Sequence, residues 1–268
     1  MYISVKTSEG MIMMRGYKLK SLAALTIAAM LATCLFGCGG ETQFGNSGEA
    51  KENLNKQSEP QETKKEQKAE PIEPTVVDSG FFKDEYGWIS DCVVINNPNS
   101  DYLAAMPTVK ATMRDSGGNV LGVETIYVDY LLPGENTIAV GSYQGEGKDV
   151  ATIEYAINVS KNNWAEVDFE TIRISEFEIS GQSEQTGSYG DRSWVGEVTN
   201  NSGNDYEGFK AFVVLKSGGS VVTGFYAYEY DTPLSAGSTV PFEIQATIIG
   251  NSWPEYDSFE MYVYPSIR

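Results

Sequence analysis

Histidine is missing: not one of the 268 residues is a histidine. Its absence excludes Ser-His-Asp and Cys-His nucleophile systems and every histidine-ligated metal site. No Gly-Lys-Ser/Thr phosphate loop and no Gly-x-Ser-x-Gly elbow occurs, so two further enzyme classes lack their starting residues. Basic residues are few, with 19 Lys and Arg against 37 Asp and Glu and a net charge of −18. That balance opposes binding to DNA, RNA or anionic headgroups, which need cations to neutralise phosphates. Long helical periods are lacking as well. Val150 to Trp164 is the one stretch that tolerates a short helix.

Cysteine is scarce, and its placement is informative. The chain holds only Cys34, Cys38 and Cys92. Arg15, Lys18 and Lys20 precede an uncharged run from Leu22 to Thr33, which Leu35-Phe36-Gly37-Cys38 closes. A basic flank, a short apolar run and a small residue before the cut describe a cleaved export signal. The run from Leu22 to Phe36 falls short of the roughly 20 residues a spanning helix needs. Leu35 to Cys38 resembles the lipobox of bacterial lipoproteins, and the resemblance implies that Cys38 is lipidated and becomes the first residue of the mature chain. Two acyl chains there would hold the protein stably, where one gives marginal binding. Met13 or Met14 is then a candidate start. Losing residues 1–38 removes four basic residues and one acidic one, taking the net charge from −18 to −21. Cys92 is left alone and cannot form an intrachain disulfide. Among Val93, Val94 and Ile95 it reads as a buried strand thiol.

Residues 39–75 read as a disordered tether. They are rich in Glu, Lys, Gln, Ser and Asn, and their large apolar residues are Phe44, Leu54 and Ile72, too few to offset chain entropy. Such a segment spans roughly 35 Å as a flexible coil. From Val76 the composition changes to short runs of Tyr, Val, Ile, Phe and Thr divided by Gly, Asn, Asp, Ser and Pro, the pattern of strands joined by turns.

The pattern repeats. Val93 to Tyr102 lines up with Glu197 to Tyr206 at an offset of 104. Val109-Lys110-Ala111 matches Phe209-Lys210-Ala211, Ser116-Gly117-Gly118 matches Ser217-Gly218-Gly219, and Leu131 to Gly134 matches Leu234 to Gly237. Trp164 to Glu170 sits against Trp253 to Glu260, with the offset drifting down to 89. The expected organisation is all-β: two tandem immunoglobulin-like antiparallel β-sandwiches, at 76–174 and 175–268, behind a signal (1–38) and a tether (39–75). Val109, Ala111 and Met113 should share the first core face, with Phe212 and Val214 taking the places of Ala111 and Met113.

Several motifs carry a family resemblance. Gly196-Glu197-Val198-Thr199-Asn200-Asn201 forms a strand and turn, Phe212 to Lys216 a following strand, and Leu132-Pro133-Gly134-Glu135 a later turn. In the first copy Ala111 to Asp115 keeps the Asp and lacks the Phe, and Ser235 to Ser238 keeps only the glycine. The layout resembles the FxLYD-type immunoglobulin-like domain of bacterial surface lipoproteins. That resemblance implies the sandwich fold and supplies no catalytic residue.

Among candidate sites, Glu166, Asp168 and Glu170, with Glu255, Asp257 and Glu260 in the second copy, could pair carboxylates as glycoside hydrolysis requires. Duplication of the set favours a solvated edge. Asn96–Asp101 and Asn200–Asp205 lack the dense alternation of acids found in calcium loops. Trp88, Trp164, Trp194 and Trp253 read as core plugs. Tyr226, Tyr228 and Tyr230 alternate, so they share one strand face. Either that face is the core, or it is a putting-forward of three rings as a platform for a ligand. The expectation is a non-enzymatic, monomeric interaction or spacer module without cofactor or metal. It is held by Cys38 at the outer face of a bacterial membrane and meets a protein or a cell-wall glycan. The alternative is a carbohydrate- or wall-binding module that uses the three tyrosines.

Overall fold

Alternating burial along short strands builds this chain. The computed structural model describes residues 2–7, 10–15, 69–145, 149–167, 172–246, 248 and 252–267. Cys38, the signal run and most of the tether lie outside the described residues. Tyr2–Thr7 (β1) and Gly10–Arg15 (β2) pair as an antiparallel hairpin. The strands then follow as β3 (Thr75–Lys83), β4 (Trp88–Asn96), β5 (Tyr102–Ala105), β6 (Thr108–Arg114), β7 (Val120–Tyr127), β8 (Tyr130–Leu131), β9 (Asn136–Gln144), β10 (Thr152–Asn158) and β11 (Trp164–Glu166). The second series is β12 (Phe177–Thr186), β13 (Arg192–Asn200), β14 (Phe209–Ser217), β15 (Ser220–Glu229), β16 (Thr239–Gln245) and β17 (Ser258–Pro265). The described helix consists of two 3-10 turns, Lys161–Asn163 and Ile174–Glu176. The stretch that tolerated a short helix holds strand β10 and, within Lys161–Asn163, a single 3-10 turn.

Every sheet is antiparallel. In the first series, sheet β3-β4-β9 packs on sheet β10-β6-β7 through Val93, Ile95, Val109, Ile126 and Ala139. A third small sheet, β11-β5-β8, brings Trp164 partly buried against that core. In the second series, sheet β12-β13-β16 packs on β15-β14-β17 around Trp194, Phe209, Val213, Phe225 and Phe242. The six main strands of each series pair in the same order. β17 therefore corresponds to β10, since each is the neighbour of the central strand, β14 or β6. This corrects the match of Trp164–Glu170 with Trp253–Glu260: Trp164 pairs in sheet β11-β5-β8, whereas Glu260 lies in β17. The shared Trp-x-Glu pattern misled because it is local and carries no pairing information.

Buried asparagines fix the true offset. Asn97 Nδ2 donates to the carbonyls of Tyr102 and Leu131, and Asn200 Nδ2 donates to those of Asn204 and Leu234. The Oδ1 of each accepts the N–H two residues on, from Asn99 and Ser202. The amides of Gly134 and Gly237, both at positive φ, bond the carbonyls of Asn97 and Asn200. The equivalent pair is thus Asn97 and Asn200, 103 positions apart and both fully buried. The offset of 104 came from reading Asn96-Asn97 against Asn200-Asn201.

The central strand of the second series is buried on both faces. Phe209, Ala211, Val213 and Leu215 point into its own core. Phe212 and Val214 point the other way, so Ala211, not Phe212, stands where Ala111 stands. Their face, the outside of β15-β14-β17, packs on the outside of β3-β4-β9. Gly80 permits the approach, since a Cβ there would lie 2.2 Å from the Val221 carbonyl oxygen. Gly224 likewise leaves room for Cys92, whose Sγ would be 3.0 Å from an added Cβ. Thr223 Oγ1 donates to the Ser90 carbonyl at 2.7 Å, and the Val221 amide donates to Asp78 Oδ2 at 3.0 Å. Burial raises the Cys92 thiol far above its ordinary pKa, in keeping with its expected role as a buried strand thiol.

Candidate functional site

Strand alternation sends Phe225 inward, where it stacks on Trp194 with centroids 5.5 Å apart. Tyr226, Tyr228 and Tyr230 therefore leave the opposite, outer face of β15 and its end, each between 36% and 44% exposed. The core is on the Phe225 side. Of the two placements open to the tyrosines, the outer face is the one adopted, because Glu229 sits at the strand end and accepts a bond from Thr232 instead of entering the core.

The three rings form a ladder. Tyr226 meets Tyr228 edge-on at 4.9 Å, and Tyr228 stacks on Tyr230 at 5.0 Å with the rings 9° apart. Lys210 Nζ lies 4.7 Å from the centre of the Tyr228 ring and 2.6 Å from Asp129 Oδ2. Burial, then the neighbouring Tyr226 and the Asp129 charge, raises the Tyr228 phenol above its usual pKa. Stacking by Tyr230 and the Lys210 ammonium engage the Tyr228 ring face.

Beside the ladder a cleft of about 40 Å³ opens between the two sandwiches. Its walls are Phe212, Tyr226 and Tyr228 on one side and Tyr127 to Tyr130 on the other, and its floor is the free edge of β9. Bonds from Asn97 N–H to the Glu135 carbonyl and from Gly145 N–H to the Gly87 carbonyl set the β4-β9 ladder. By that alternation the even-numbered residues of β9 aim their amides and carbonyls away from β4. Tyr264 takes the first such rung. Its hydroxyl accepts from the Ile138 amide and donates to the Asn136 carbonyl, both at 3.2 Å. The next rung, the Ile138 carbonyl and the Val140 amide, faces the cleft. Behind it Thr137 buries a hydroxyl that has no partner among the described residues. A 40 Å³ cleft holds about three waters, well under the ~300 Å³ of a small-molecule pocket. It suits one side chain of a larger ligand laid along the strand edge.

The carboxylates do not converge. Glu166 is exposed, Asp257 accepts the Gly218 amide, and Glu260 pairs with Lys216 at 2.7 Å. Asp168 and Glu170 lie outside the described residues. Among the described residues no group of three or more His, Cys, Asp or Glu could hold a metal ion. Of the four tryptophans only Trp194 is fully buried.

Sequence reasoning found the tyrosines but not Lys210, Asp129, Phe212 or the β9 edge. One signal was available. Phe212-Val213-Val214-Leu215 is an unbroken apolar run, and a strand covered on both faces reads that way. No protein-family model matches this chain, and no curated protein shows significant similarity to it.

Proposed function

We propose that this chain is a lipid-anchored, non-catalytic interaction protein of a bacterial surface, with its two sandwiches serving as one binding head on a flexible tether. The carrying observation is the tyrosine-lined cleft over the open rung of β9. The lipobox-like Leu35–Cys38, the acidic tether and the FxLYD resemblance support the address, and the chain acts as a monomer. The occupant is an extended segment of a partner protein. Its backbone adds to the β9 edge, and one side chain drops between Phe212 and Tyr127, the mode by which sheet edges capture peptides. A wall glycan is the second reading. It needs an open ring face, and Tyr127, 79% exposed, offers one at the cleft mouth.

The test places the photo-crosslinking residue p-benzoylphenylalanine at Tyr127 in the full chain on living cells. The expected result is a discrete adduct whose mass spectrum reports peptide, lost when Val140→Pro removes the edge amide; proline is tolerated on an edge strand. An adduct of glycan alone selects the second reading. Absence of any adduct, or one indifferent to Val140→Pro, overturns the cleft as the site. In the same cells Cys38→Ser should move the protein from the membrane pellet to the medium.

A further inference from the structure

The two sandwiches differ most at one position of their cores. At the offset of 103, Asp91 of β4 corresponds to Trp194 of β13, and both are fully buried. Their cross-strand partners differ too: Asp91 lies opposite Gly141, and Trp194 opposite Ile244. Glycine is required, because a Cβ at Gly141 would stand 2.3 Å from Asp91 Oδ1. The facing sheet follows suit. Tyr155 and Glu124 flank Ala111 in the first sandwich, where Val263 and Ala227 flank Ala211 in the second. Where the second sandwich holds an indole site, the first holds a polar one. It divides the apolar core of the first sandwich in two, with Ile89 and Met113 on one side of it and Val93 and Val109 on the other.

We propose that Asp91, with the hydroxyls of Tyr143 and Tyr155, forms a proton-operated latch inside the first sandwich that tightens its joint with the second sandwich in acid and slackens it in base. Tyr143 donates to Asp91 Oδ2 at 2.8 Å. Asp91 Oδ1 and the Tyr155 hydroxyl have no hydrogen-bond partner in this arrangement, and a proton on the carboxyl would let Oδ1 act as a donor. Desolvation raises the Asp91 pKa above the usual aspartate value, and the bonded Tyr143 hydroxyl opposes this by stabilising the anion. The other groups facing the site are few. Tyr143 comes from β9, Tyr155 from β10 and Glu124 from the β7 edge; Phe81 of β3 and Ala111 of β6 carry no charge. Burial, and then the Asp91 charge, keeps both tyrosines protonated.

The sign follows from linkage. A carboxyl whose folded pKa is raised binds its proton more tightly in the folded state. Stability therefore falls as pH rises from the ordinary aspartate range through the folded value. The joint feels the change because alternate residues of β4 face opposite ways. Asp91 points into the first core, while Ser90 and Cys92 on either side of it contact Thr223 and Gly224 of β15.

The experiment uses the full chain between pH 5 and 8.5, following the Asp91 carboxyl carbon by NMR together with hydrogen exchange of the Val221 amide, corrected for intrinsic rates. The expected carboxyl titration lies above the ordinary aspartate range, and Val221 protection drops at least tenfold across it. Asp91→Asn should hold that protection constant and raise Tm at pH 8 by roughly 3–6 °C. Tyr143→Phe, which removes a bond to the anion, should move the transition to higher pH. It also keeps the test decisive should Asp91→Asn fail to fold. Titration of Asp91 at an ordinary value, or Val221 protection that changes with pH equally in Asp91→Asn, overturns the latch.

Discussion

At the scale of single residues, two buried asparagines close corresponding turns of the two sandwiches. Asn97 and Asn200 each do so through three buried side-chain bonds, two to carbonyls and one from the amide two residues on. Such bonds contribute about 0.5–1.5 kcal/mol apiece. Asn200→Ala is expected to lower stability by about 3 kcal/mol in urea denaturation, and Asn97→Ala similarly. The adjacent Asn96→Ala and Asn201→Ala should each cost under about 0.5 kcal/mol, since their amides bond exposed side chains. Equal effects within an Asn-Asn pair would refute the offset of 103. The sequence showed both pairs plainly but could not choose the buried member, because an Asn-Asn dipeptide reads identically in either register. Hydrogen bonding to carbonyls 34 residues away makes the choice.

Single strands show where legibility ended. Alternation in Val109-Lys110-Ala111-Thr112-Met113 gave the correct inward set, all three buried, because one face of β6 meets the core. It failed for β14, whose one face meets its own core and whose other face meets the joint with the first sandwich, and there the period of two vanishes. The tyrosines of β15 were legible as sharing a face and illegible as to which face. That depends on a neighbouring sandwich that local pattern does not report. The β3-to-β15 approach makes a sharp prediction at this scale. Gly80→Ala drives a Cβ against the Val221 carbonyl at 2.2 Å, and backbone cannot yield as a side chain would. The variant should keep its far-ultraviolet β signal, lose Val221 protection and unfold at lower temperature. An unchanged Tm would show that the approach is not close in solution.

Over the whole of Glu70–Arg268, the joint decides the behaviour. Cys92, Ile138 and Leu132 of the first sandwich belong to the same apolar cluster as Val214 and Phe225 of the second. Neither half can open without exposing that surface, so thermal unfolding should be one transition with equal calorimetric and van't Hoff enthalpies. Two resolved transitions would show that the halves are independent. The joint is also heterologous: the outside of one sheet meets the outside of a different one, and an arrangement of that kind can in principle propagate into a filament. What would receive a third copy is the outside of β12-β13-β16. There, at the offset of 103, Glu197 and Glu243 occupy the places of Val94 and Val140, and Pro241 that of Ile138. Two carboxylates in place of two valines deny that face the apolar surface on which β15-β14-β17 packs in the first sandwich.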